Sequence, residues 1–315
     1  MARKAAQRMK VAVVGGCGFI GRRIVKALVR RGIGAISIDD LSYAPAPSPD
    51  PDVMVDITKA GPGDLPWVDL VIHAAALTSV PHCESDPFEA WKRNVDSTLA
   101  SARFAANKGN DKFIHISSCA VYGDLAWSQT VGGTAVSPIS VYGRTKYASE
   151  LAAASVCADS GMKLSVFRLA NVYGPGQAVD RGGVITLWMH RARKGAPLLL
   201  RGDGSQTRDF VYVDDVADII VDDCGSDEVG IHTVATGRSV SMSDLAGIVW
   251  SLGHSGAPSV VRTERPPEEI VFSEMPGFGF EFRDLPTGLA ETWNDFAPPK
   301  SLGEATKRSP HENDP

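Results

Sequence analysis

Tyr142 and Lys146 stand four residues apart in the segment YGRTK (142–146). On a helix that spacing puts a phenol and an ammonium on one face. A cation beside a phenol favours the phenolate and lowers its pKa from about 10. Tyr142 is therefore a candidate general base toward a hydroxyl, although the same spacing also occurs on solvated helix faces. Ser117 and Ser118 follow the segment 113–116, which reads as a strand. They fall at the carboxyl edge of a strand, where parallel sheets bind ligands, and a serine there can hold a substrate oxygen in line with Tyr142.

A second constellation lies near the N-terminus. Gly15, Gly18 and Gly21 are spaced three apart in GGCGFIG (15–21), between an apolar run and a helical pattern. Such a turn lets backbone approach a pyrophosphate, and the helix start offers N–H groups and a positive dipole end. Three glycines alone also fit an ordinary tight turn. Asp39 adds context, because it ends the next strand 18 residues after Gly21, where a carboxylate can accept from an adenosine ribose. Asp39 would repel a 2′-phosphate and has no Arg or Lys immediately beside it, so the spacing favours NAD over NADP. A loop-capping role is the alternative for Asp39, as for Asp40.

Residues 11–14 form a continuous apolar run bounded by glycines, which reads as a buried parallel strand. Ile20, Ile24 and Leu28 then recur every fourth residue as one face of a helix, stopped by Gly32 and Gly34. Strands at 35–38, 69–73, 113–116 and 163–168 alternate with helices at 88–106 and 141–159. That alternation argues an α/β fold with a parallel sheet covered on both faces. The second half is less regular: helices at 184–194, 214–222 and 243–251, extended segments at 197–200 and 230–234. It reads as a smaller lobe. Residues 44–51 (APAPSPDP) form a Pro-rich surface loop.

The 315 residues carry 32 Lys plus Arg against 37 Asp plus Glu, a formal charge of −5. That balance gives no electrostatic case for nucleic acid or a membrane surface. No run of 18 apolar residues exists, so no membrane span is expected. The basic start, followed by only four apolar residues, does not read as a secretory signal. Cys17, Cys83, Cys119, Cys157 and Cys224 form no CxxC pair. They read as reduced thiols of a cytoplasmic protein, and no metal site is expected.

The ordered motifs resemble an extended short-chain dehydrogenase/reductase of the NAD-dependent epimerase/dehydratase family, whose members act on nucleotide sugars. The resemblance covers about residues 10–272. It rests on GGCGFIG (15–21), DDLS (39–42), VDI (55–57), VIHAAA (71–76), Asn94-Val95, ISSCAVYG (116–123), YGRTK (142–146), RLANVYGPG (168–176) and GDGSQTRDFVYVDDV (202–216). It implies a doubly wound parallel Rossmann-type sheet with a smaller C-terminal α/β substrate lobe. NAD-binding would then occupy 10–170, with later segments able to return to it. The nucleotide-sugar lobe would occupy 171–297, and 298–315 would form a disordered tail.

Residue by residue, the resemblance assigns Ser118, Tyr142 and Lys146 to the catalytic set, with Lys146 also on the nicotinamide ribose. It assigns the NAD contacts to Gly15, Gly18, Phe19, Ile20, Gly21, Asp39, Asp56, Ile57, Ala74, Ala75, Ala76, Asn94 and Ser117, together with Tyr142 and Lys146. Asn94 would support the site from inside its helix; a solvent-facing polar residue is the alternative. His73, at a strand end, reads as packed structure. Thr78, Ser118, Asn171, Arg208, Arg265 and Glu268 would contact a nucleotide-diphosphate sugar, the Arg forks suiting phosphate oxygens. The stretch 274–280, EMPGFGF, departs from the family pattern. Phe272 falls where relatives place a residue that gates the sugar pocket, and its bulk favours a hexose without an N-acetyl group. A homodimer is the family expectation, through the helices around Asn94 and Tyr142.

The leading expectation is a 4-epimerase working through a transient 4-keto sugar. Related 4,6-dehydratases follow their catalytic hydroxyl residue with Asp and Glu; here Ser118 is followed by Cys119 and Ala120. Ala120 cannot transfer a proton. Cys119 is a candidate acid, and a small packed residue is the alternative. A nucleotide-sugar dehydratase, a 4-ketoreductase and a non-catalytic NAD-binding regulator remain the rivals. The regulator would need none of Ser118, Tyr142, Lys146, Asn171 or Arg208.

Overall fold

The computed structural model describes residues 9–44, 48–61, 63–123, 135–179, 183–264 and 278–295. Its centre is a parallel sheet of β1 (Lys10–Val14), β2 (Gly34–Asp39), β3 (Val53–Met54), β4 (Leu70–His73), β5 (Lys112–Ser118), β6 (Lys163–Leu169) and a strand from the second half, Gly230–Val234. Between β6 and that strand lie β7 (Asn171–Tyr173), β8 (Leu198–Arg201), β9 (Thr207–Arg208) and β10 (Phe210–Tyr212), so Gly230–Val234 is β11. The spatial order is β11-β6-β5-β4-β1-β2-β3. Chain order reverses between β1 and β4, which makes the crevice outside their carboxyl ends the natural ligand site.

β1 shows how the sequence builds two layers. Val11 and Val13 enter one core with Ile24 and Leu28 of α1 (Gly21–Arg30) and with Val216 and Ile220 further along. Ala12 and Val14 enter the opposite core with Ala102, Ala105, Ala153 and Cys157. Successive side chains point to opposite faces of a strand, so a strand with no polar residue after Lys10 must be covered on both sides.

The helix expected at 88–106 is interrupted. α2 (Val80–Ser85) precedes it, α3 (Pro87–Trp91) starts it, and one wide π-helical turn, Lys92–Asp96, joins α3 to α4 (Ser97–Asn107). Asp86 caps α3 by accepting from Glu89 N at 3.0 Å, and Pro87 tolerates the first helical position. The wide turn rotates Asn94 into the interior, where it is fully buried. α5 (Val141–Ser160) is one uninterrupted helix. Ser140 caps it, accepting from Gly143 N at 3.0 Å, and Gly161 ends it at φ +74°, a conformation glycine adopts without strain.

The extended segment grouped with the smaller lobe in the sequence analysis, β11, instead pairs with β6 from Gly230↔Ser165 to Val234↔Leu169. Before it, α7 (Val213–Asp223) packs on α1, after α6 (Val184–Arg193) in the other lobe. Lys112 Nζ fixes the approach to β11 by donating to the carbonyls of Asp223 (2.8 Å), Ser226 (3.0 Å) and Glu228 (3.2 Å). The smaller lobe has its own core. There Trp188 and Met189 of α6 and Leu198 and Leu200 of β8 meet Leu245 and Val249 of α8 (Met242–Ser251) and Leu289 of α9 (Leu285–Asp295). α9 follows the breaker-rich stretch and was not visible in the periodicity. The proposed tail at 298–315 lies outside the described residues.

Candidate active site

The glycine turn closes against the end of β4. A Cβ on Gly15 would lie 2.5 Å from Ala75 N, and one on Gly21 would fall on the Gly15 carbonyl oxygen. Only bare backbone therefore fits here. α1 carries neither a capping side chain nor an acid in its first turn, which leaves its positive end facing the turn. A cavity of about 490 Å³ runs over this backbone. It is lined by Gly15, Gly18, Phe19, Ile20, Gly21, Asp39, Asp56, Ile57, Ala74, Ala75, Ala76 and Thr78. The sequence analysis assigned the first eleven of these to the cofactor and Thr78 to the substrate.

Two carboxylates on this wall are held in place. Asp39 accepts from Cys17 N (3.0 Å) through one oxygen and from Leu41 N (2.8 Å) through the other. It is thus braced between the glycine turn and the next loop while still facing the cavity. Asp56 accepts from Thr58 N and Oγ1 at 3.1 and 2.7 Å. Burial works to raise the Asp56 carboxyl, but these bonds outweigh it and hold the group below its usual range.

β5 and α5 carry the candidate catalytic side chains. Ser118 ends β5 and caps the short 3₁₀ turn Cys119–Tyr122, its Oγ accepting from Ala120 N at 3.1 Å. Tyr142 lies in the first turn of α5, with the Ser118 hydroxyl near enough to act on its pKa. One turn on, Lys146 is buried and its Nζ donates to the Ile116 carbonyl at 2.7 Å.

The expected lowering of the Tyr142 pKa is not what this arrangement gives. Burial pushes the phenol up to about 12, with Ser118 pulling the other way. Lys146 is itself lowered to about 8 by burial, against the field of Glu150. The spacing reading allowed for the Lys146 charge but not for desolvation, which disfavours the charged form of both groups.

Other assigned residues are engaged within the protein. Asn94 Oδ1 accepts from Leu77 N (2.8 Å), and its amide donates to Leu77 O (3.2 Å) and Thr145 Oγ1 (2.8 Å). It therefore ties the end of the Ala74–Ala76 loop to α5. Ser117 is buried and its hydroxyl donates to Glu150 of α5. Cys119 is buried, its thiol donates to the Arg168 carbonyl at 3.4 Å, and burial raises its pKa well above the usual value. Asn171 Nδ2 donates to Asp209 O at 3.0 Å, and Arg208 Nη1 to Thr207 O at 2.9 Å. Arg265, Glu268 and Phe272 lie outside the described residues.

The structure adds residues that spacing did not suggest. Tyr43, Arg93, Gln177 and Ala178 also line the cavity. Glu150 and Arg168 form a buried ion pair, Nη2–Oε2 2.7 Å and Nε–Oε1 3.0 Å. The available signals were an arginine between Phe167 and Leu169 at the end of a strand and a glutamate one turn after Lys146 on the same helix face.

Beneath the site His73 and His115 are fully buried and stacked, centroids 5.6 Å apart. His73 Nδ1 meets Ser101 Oγ at 2.9 Å, and His115 Nε2 meets Ser149 Oγ at 2.9 Å. Burial, reinforced by the Lys146 charge, lowers His73 to about 3 and His115 well below its usual value. Unfolded histidines gain a proton near about 6.5. The folded pair stays neutral, so the unfolded state binds more protons and stability falls as pH drops from about 6.5 toward 3. Urea midpoints measured across this range should fall more steeply for wild type than for His73→Gln. Equal slopes would show that His73 is already charged in the folded state.

A dinucleotide cradle beside a serine–tyrosine pair is the arrangement of an enzyme that moves hydride to and from a nicotinamide. Comparison with known proteins is more particular. Residues 11–222 match the model of the NAD dependent epimerase/dehydratase family, and the chain belongs to that family; its cofactor is NAD. It is 31% identical over 300 residues to dTDP-L-rhamnose 4-epimerase from Burkholderia thailandensis, covering 79% of this chain and 82% of that one. A UDP-glucose 4-epimerase from Thermus thermophilus in complex with NAD superposes with a TM-score of 0.78 at 27% identity, over 91% of this chain and 98% of the other. TunA, an NAD-dependent NDP-hexosamine 5,6-dehydratase of tunicamycin biosynthesis, gives 0.83 at 27%, over 91% and 97%. Among the described residues no helix is long and apolar enough to cross a membrane.

Proposed function

We propose that the chain is a nucleotide-sugar 4-epimerase. The observation that carries this reading is the pair of residues after Ser118. Ala120 has no proton-transfer group, and the Cys119 thiol is buried against the Arg168 carbonyl with its pKa raised. An elimination therefore lacks an acid–base pair beside the catalytic serine. In the proposed cycle Ser118 holds the sugar 4-oxygen and Tyr142 takes the proton of the 4-hydroxyl. NAD supplies, when bound, the hydride acceptor and a positive charge whose field lowers the Tyr142 pKa. Lys146, which donates to the Ile116 carbonyl, fixes the nicotinamide ribose in this cycle. Asn171 and Arg208 are assigned to the diphosphate, Arg208 by its guanidinium. The active form is assigned as a homodimer through α3 and α5, which pack together and expose Phe88, Trp91 and Leu151; sedimentation of the same preparation reads its mass.

Incubation with UDP- and dTDP-hexoses, read by NMR and mass spectrometry, tests the reaction. The expected product has the substrate's mass and is inverted at C4. A product lighter by one water would overturn the epimerase reading in favour of a dehydratase.

A further inference from the structure

Arg93 is the residue before Asn94 in the wide turn Lys92–Asp96. The extra width that sends Asn94 inward leaves Arg93 on the cavity wall, alongside Asp39, Asp40 and Tyr43. Its guanidinium is held from several sides. Nη1 donates to Asp40 Oδ2 at 2.6 Å, Nε to Glu89 Oε1 at 2.7 Å, and Nη2 reaches Ser42 Oγ at 3.5 Å. Its plane lies over the Tyr43 ring, 5.3 Å from the centroid. Arg93, Asp40 and Glu89 are each about a quarter exposed, so water screens the group only in part.

This places an arginine, the side chain best matched to phosphate oxygens, on the wall that carries the ribose-binding Asp39. Yet its donors already face carboxylates. Asp39, Asp40 and Glu89 still outnumber the two cations here, Arg93 and the neighbouring Lys92, and a phosphate brought here meets excess negative charge. The loop that carries Asp40 is also fixed. Leu41 sits at φ +60°, and Asp40 Oδ1 accepts from Ser42 N at 2.9 Å. The loop thus holds Asp40 against Arg93.

We propose that Asp40 and Glu89 hold Arg93 away from a 2′-phosphate, and that this clamp, together with Asp39, sets the preference for NAD over NADP. Arg93 is then a phosphate-binding group kept out of use by its two partners. The proposal concerns cofactor binding alone and stands whether the enzyme epimerises or dehydrates its sugar.

The test is cofactor binding by the full chain, read by calorimetry after cofactor exchange, with NAD and NADP titrated separately. In Asp40→Asn/Glu89→Gln the Kd for NADP should fall roughly tenfold or more, because the guanidinium is released and two negative charges are lost. Adding Arg93→Met should abolish that gain. Glu89→Gln alone disturbs no loop hydrogen bond and should move NADP in the same direction by a smaller factor. No gain in Glu89→Gln, or a gain in the double variant that survives Arg93→Met, would overturn the proposal. In the second case the lost charges, not Arg93, would account for the change.

Discussion

Tyr142→Phe is expected to lower kcat by about 10²–10⁴-fold, the usual contribution of a positioned acid–base group. Folding and NAD binding should be nearly unchanged, because the substitution removes one hydroxyl and keeps the ring that packs with Leu77 and Cys83. Steady-state kinetics with the best substrate from the hexose panel, alongside an NAD titration, provide the measurement. Turnover within a few-fold of wild type would remove Tyr142 from the proton-transfer step. Burial pushes the phenol up to about 12, so in the proposed cycle its use as a base near neutrality draws on the positive charge that arrives with the cofactor.

Arg168→Met should cost about 3–5 kcal/mol of folding stability, the range for removing one partner of a buried ion pair. Glu150 would be left buried, accepting from Ser117 alone among the described residues. Denaturant unfolding at neutral pH measures this, and a loss below about 1 kcal/mol would show that the Glu150 carboxyl is neutral or hydrated. Replacing both partners, in Glu150→Gln/Arg168→Met, should cost less than the two single losses added together. The pair joins α5 to β6, and Ser117 brings β5 into the same cluster. Its loss should therefore also loosen the seat of Lys146, one turn along α5.

What the sequence made legible was mostly local. Val11–Val14, the glycine spacing and the Ile24/Leu28 stripe identify β1, the turn and α1, because each signal is complete within a short window. The strand before Ser118 and the long helix carrying Tyr142 and Lys146 were legible for the same reason. Residues whose meaning depends on a distant partner were not. Asn94 is singled out through the family resemblance alone; its own helical surroundings carry no sign of the wide turn that rotates it toward Leu77 and Thr145. Arg93 reads as a solvated charge until Asp40, far earlier in the chain, comes beside it. The direction of the Tyr142 pKa was misjudged because helix spacing reports neighbours on one face and says nothing of the burial imposed by other elements. β11 was grouped with the second half, with room left for later segments to return to the sheet, because an extended segment of mixed polarity carries no mark of the strand it will join.

Synthesis delivers β6 with one side of its backbone unpaired, and β11 begins only at Gly230, long after β6 ends at Leu169. In the interval β6 is a sheet edge, the feature that most readily recruits strands from other chains. Much of the smaller lobe must leave the ribosome before the sheet can be finished, and closing so long a loop makes this step slow. The last strand to dock is also bound by Lys112 through the chain just before it. A chain stopped shortly after β6 therefore presents an unpaired sheet edge in place of a finished sheet.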